Sequence, residues 1–107
     1  MLFVLDIMSN VGKIVRLDED RWKHVREHPE MKDEIDRLRE TVVEPDEVRR
    51  SIYDASVWLF YRHYRDTPIT EKYLLAVVRM LNEEGFIVTA FFTDTVKKGE
   101  LVWSRKP

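Results

Sequence analysis

Three imidazoles and their neighbours carry whatever acid–base chemistry this chain can do. The stretch "HVREHPEM" sets His24 and His28 four residues apart, and His63 sits inside "FYRHYR". An i, i+4 pair shares one helix face, the disposition of a metal-binding H-x-x-x-H pair. A catalytic zinc still needs a third ligand, and the metalloprotease order H-E-x-x-H is missing because Val25 follows His24. There is no cysteine, which excludes disulfides, thiolate zinc sites and cysteine nucleophiles. No metal site and no cofactor is expected. The plain alternative is that both histidines are solvated helix residues, or that His28 caps the helix that follows it.

Metal-free cleavage of an RNA phosphodiester is one chemistry that would use such a set, although composition alone does not select it. A neutral imidazole can take the 2′-hydroxyl proton while a second acid protonates the leaving 5′-oxygen. Arginine or lysine then stabilises the charge that builds on phosphate, and tyrosine can stack a base or donate to phosphate. Arg21, His24 and His28 share one helical face at spacings of three and four. Strand alternation in "VWLFYRHYR" groups Val57, Leu59, Tyr61 and His63 on one face and Trp58, Phe60, Arg62 and Tyr64 on the other. In "FIVTAFFT" the same rule groups Ile87, Thr89, Phe91 and Thr93, with Thr89 interrupting an apolar run. Threonine is also a good strand former, and Arg62 and His63 also suit a strand end emerging into solvent.

These residues need elements to hold them. "LFVLDI" and "GKIVRL" flank "MSNVG", where Asn10 and Gly12 tolerate positive φ, so an N-terminal β-hairpin is expected. Asp18 suits the N-cap of a helix in "LDEDRWKHVREH", which Pro29 should stop or kink at His28. A second helix should open at Pro29, because Met31, Ile35, Leu38 and Val42 form one apolar stripe. Pro45 with Asp46 and Glu47 can open one further helical turn. "SVWLFYRHY", "KYLLAVVRML" and "GFIVTAFFT" read as strands joined by short turns, and "LVWS" as a short last one. The continuous apolar middle run belongs at the centre of the sheet. The expected fold is a single α+β domain over residues 1–107: an N-terminal hairpin, two to three helices, then a mostly antiparallel sheet of three to four strands.

Composition narrows the setting. The chain has 107 residues, enough to bury roughly 65% of its unfolded surface without staples. Eighteen basic and 20 acidic residues leave a net charge of −2, which argues against a strongly basic nucleic-acid binder. No apolar run approaches the ~20 residues of a membrane helix, and "MLFVLDIMSN" is a poor signal peptide, so no membrane partner and a cytoplasmic location are expected. Charged residues make up 36%, with no glutamine and only Asn10 and Asn82 as asparagines, the bias of thermophile proteins.

The order "W-x-H-V-x-x-H-P-E", "V-V-E-P-D-E-V-R-R", "W-L-F-Y-R", "K-Y-L-L-A-V-V" and "G-F-I-V-T-A-F-F-T-D-x-V-K-K-G-E-L-V-W" resembles the phage-associated barnase–EndoU–colicin–RelE-like nucleases, over about Trp22 to Trp103. The resemblance implies helices packed on an antiparallel sheet and metal-independent RNA cleavage, in a toxin or a phage-derived effector. Its matching positions are His24, His28, Arg49, Tyr61, Arg62 and Thr89. The expected catalytic set is then His24 or His28 as base with Arg62 and Thr89, and Arg49, Tyr61 and His63 bind substrate. The partners expected are RNA and a cognate antitoxin or other protein. The competing reading is a non-catalytic interaction or dimerisation domain of the same fold. A basic cleft holding the histidines favours the first; an exposed apolar patch around Trp58 and Phe60 favours the second.

Overall fold

A computed structural model describes residues 2–106. Strands β1 (Phe3–Met8) and β2 (Ile14–Asp18) are followed by α1 (Glu19–Val25), a 3₁₀ turn (Pro29–Met31) and α2 (Ile35–Val43). Then come β3 (Glu47–Ser51), β4 (Val57–Tyr64), β5 (Lys72–Leu81), β6 (Glu84–Thr93) and β7 (Gly99–Ser104). All seven strands form one sheet in the order β1-β2-β6-β5-β4-β3-β7, with β2 and β6 parallel and the other neighbours antiparallel.

This corrects the expected fold. The sheet has seven strands rather than three to four, and it is mixed. Only two α-helices form among the described residues, and the N-terminal hairpin is part of the sheet rather than a separate prelude to the helices. Pro45 does not open a helical turn. Asp46 N donates to the Tyr61 carbonyl at 2.7 Å, and the chain continues as β3 with Val48 buried. Pro29 holds His28 extended (φ −79°, ψ 109°) and starts a single 3₁₀ turn, so α2 begins only at Ile35.

Local chemistry accounts for the boundaries. Asp18 caps α1 by accepting the Arg21 N–H at 2.7 Å. Gly12 takes φ +79° in the first hairpin, and Asn82 takes φ 54° in the tight turn from β5 to β6. Met31, Leu38 and Val42 are fully buried against the sheet, in one core with Leu5, Val15, Leu17, Phe60, Leu74, Ala76, Val78, Ile87 and Ala90. Both helices and the 3₁₀ turn serve that core, α1 and the turn along β6 and α2 across β5, β4 and β1. The opposite face has only a small cluster, Leu59, Tyr61 and Leu75 with Val57, Tyr73, Val77, Phe91 and Val96 around it.

A five-residue link, Asp94–Lys98, crosses that second face, because β6 and β7 are separated by β5, β4 and β3. Six Cα steps from Thr93 to Gly99 reach at most roughly 20–22 Å. Four strand spacings already take about 19 Å. The joined ends are offset along the strands as well, since Thr93 is level with Tyr73 and Gly99 with Ser51. The link closes only if the sheet curls toward it, which makes this face concave. Val96 packs on the small cluster, and Lys97 N donates to the Tyr61 hydroxyl at 3.0 Å.

Candidate functional site

The concave, helix-free face brings together some of the predicted residues and leaves others out. Register pairs Glu47 with Tyr61, Arg49 with Leu59, Leu59 with Val77 and Val77 with Thr89, which sets Arg49, Tyr61, His63 and Thr89 on this face. Thr89 reaches it only through a β-bulge: Val78 pairs with Ile87 and Val77 with Thr89, so Val88 is the extra residue. The simple alternation that grouped Ile87 with Thr89 and Phe91 is therefore broken, and Ile87 belongs to the helix-side core.

Arg62 lies on the helix side. Its Nη1 donates to the Glu44 carbonyl, its guanidinium lies over the Tyr64 ring, and its Nε is 3.3 Å from Glu40 Oε1 but outside hydrogen-bond geometry. His24 is exposed on α1, with Nδ1 3.4 Å from Glu27 Oε1. His28 is half-buried beyond the end of α1, its ring centroid 6.0 Å from that of Phe91 on β6. His24, His28, Arg62 and Thr89 thus do not share one cleft. Nor is there an exposed patch at Trp58 and Phe60: Phe60 is fully buried, and Trp58 is half-buried with Arg50 5.4 Å from its ring centroid.

The crossing link divides the concave face. On one side, a groove of about 530 Å³ has Val57, Leu59, Leu75, Val77 and Phe91 as its apolar lining, with Ser51 to Tyr53 and with Lys97 and Lys98 of the link. No carboxylate lines it, and neither lysine is ion-paired among the described residues. Tyr53 is 91% exposed and Ile52 63%, so the lip beside the groove is apolar. On the other side lie His63, Tyr73, Asp46, Glu47 and Arg105. There His63 Nε2 is 2.8 Å from Glu71 Oε2, and its ring meets Tyr73 edge-on at 5.2 Å.

Tyr61 and Arg49 are occupied in holding the structure. Tyr61 is fully buried, and its phenol is pushed above the ordinary tyrosine range chiefly by loss of water, with Glu47 adding to the shift. Its hydroxyl anchors the link rather than facing a ligand. Arg49 bonds Glu47 at 2.7 Å and the Gly99 carbonyl at 3.0 Å, tying β3 to β7. Sequence reasoning missed Lys97 and Lys98. The signal was two adjacent lysines in a link between strands too far apart in the sheet to be hairpin partners, and strand order is not readable from strand composition.

Among the described residues no cluster of three or more His, Asp or Glu is placed to hold a metal ion, and no helix is long and apolar enough to cross a membrane. No family model, curated protein or solved structure matches this chain.

Proposed function

We propose that this chain is a ribonuclease-like, RNA-binding domain that acts through the groove on its concave sheet face without a metal ion. The observation that supports the reading most is one juxtaposition: an apolar, aromatic-walled groove with two unpaired lysines on its link and the His28 imidazole beside Phe91. Unpaired bases stack on such walls and phosphates meet such lysines. His28 takes the 2′-hydroxyl proton, the 2′-oxygen attacks phosphorus, and the P–O5′ bond breaks to leave a 2′,3′-cyclic phosphate. The leaving 5′-oxygen takes its proton from water at the open groove, and Lys97 and Lys98 hold the charge on phosphate. Arg62 and His24 have no part in this. The reading goes with a cytoplasmic protein, and with a toxin or phage-derived effector held by a cognate antitoxin.

The test is cleavage of single-stranded RNA in EDTA. Wild type should release cyclic-phosphate ends. His28→Ala should lose roughly 100-fold or more, the usual contribution of a general base, and His24→Ala should keep its rate. A wild type that cleaves nothing above background would remove catalysis. The competing reading, a non-catalytic protein-interaction domain, would then lead, and its support is the exposed Ile52–Tyr53 lip.

A further inference from the structure

We infer that a second concavity, where α1 meets β2 and β6, lined by Arg16, Arg21 and Arg79, binds a phosphate group. It forms where β2 and β6 part company. The two strands pair only at Ile14–Glu84, Val15–Gly85 and Arg16–Phe86, and α1 then packs along β6 in place of β2. Register sets Arg16 beside Phe86 and Phe86 beside Arg79. Arg21 joins them from the first turn of α1, and Phe86, Ile87 and the bulged Val88 complete the lining of about 420 Å³.

The charges are arranged for an anion. Asp18 is the one carboxylate in the lining, and its Oδ1 is engaged in capping α1. Arg16 is paired with Asp6 and Glu84, and Arg79 with Asp54, none of which lines the cavity. These partners hold two guanidiniums in place from outside it. Arg21 makes no ion pair among the described residues. A guanidinium carries five N–H donors in a planar fork, so a carboxylate on one edge leaves donors for a second oxyanion. Arginine forks match phosphate oxygens two at a time. The ligand class is a phosphate mono- or diester whose body rests on Phe86 and Val88. It is either a small phosphate ester or one phosphate of a nucleic-acid strand. The site stands apart from the groove and does not depend on cleavage there.

The test follows arginine Nε–Hε and backbone amide resonances of the whole chain during titration with inorganic phosphate, and separately with a short single-stranded RNA. Phosphate should give saturable shifts confined to Arg16, Arg21, Arg79 and residues 86–88. Arg21→Ala, on an exposed helix position, should weaken binding about tenfold or more, with Arg21→Lys in between. If the phosphate belongs to a strand, RNA should shift the same resonances. The slope of log K against log salt should then fall by about one in Arg21→Ala. Phosphate binding without an RNA response at these resonances assigns the site to a small phosphate ester. Shifts that fail to saturate, that scatter over all basic side chains, or that persist unchanged in Arg21→Ala overturn the site. The phosphate titration needs no turnover, so its outcome is readable whether or not RNA is cleaved.

Discussion

Tyr61 and Tyr64 look alike in "FYRHY" and do different work on opposite faces of β4. Tyr64 faces α2, where its hydroxyl donates to Glu40 Oε1 at 2.6 Å. Burial first, and then the carboxylate that accepts its proton, push its phenol far above the ordinary range. Tyr61 is raised as well, mainly by burial. Both therefore hold their protons more tightly folded than unfolded. Their contribution is complete below the unfolded tyrosine value of about 10 and is lost as pH rises through the folded values. Stability should fall above about pH 10, and Tyr64→Phe should flatten that decline while costing roughly 1 kcal/mol at neutral pH through the lost bond to partly exposed Glu40. Urea melts at a series of pH values read both effects, and an unchanged alkaline slope in Tyr64→Phe would refute the assignment. At this scale the sequence was informative about which residue types carry chemistry. It could not say that Arg62 is committed to Glu44 and Glu40, because those partners come from another element.

Elements were legible where a periodic pattern met a local stop signal, as at Asp18, Gly12 and the apolar stripe of α2. They were misread where pairing at a distance decided. "EVRRS" after Pro45 is too short and charged to announce itself, yet it is a strand because β4 and β7 pair with both its edges. The bulge at Val88 cannot be read from alternation, since it arises from the register of β6 against β5. Gly99 marks the same dependence. A Cβ there would fall inside contact distance of the Arg50 carbonyl oxygen, which is backbone and cannot rotate away. Gly99→Ala should cost roughly 1–3 kcal/mol, as overpacking does, and should loosen β7 from β3 while β4, β5 and β6 keep their pairing. Hydrogen exchange should show faster amides in β7 and in the β3 residues that pair with it, and nowhere else in the sheet. Protection of β7 equal to wild type would mean that the strand end moves to accept the methyl.

On the scale of the whole molecule, two distant pairings turn a helix-and-hairpin chain into one curled sheet: β2 against β6, and β7 against β3. The first places residues near position 15 beside residues near position 85, and the second sends the Asp94–Lys98 link across the concave face. Groove, link lysines and the arginine concavity all depend on these closures, which is why most of the candidate site was not visible along the chain. If the hairpin were an appendage, weakening it would leave the rest intact. Its side chains argue otherwise: Val15 and Leu17 are essentially buried in the same core as Met31, Leu38 and Phe60. Leu17→Ala should cost about 2–5 kcal/mol, the range for truncating a packed leucine. That loss should be felt by the entire domain in one transition. Far-UV circular dichroism and the fluorescence of Trp22, Trp58 and Trp103, which sit on α1, β4 and β7, should lose their signals at one shared, lowered urea midpoint. Two separated midpoints in the variant, with the tryptophan signal persisting after the first, would mean that the hairpin unfolds by itself and that the concave face survives without it.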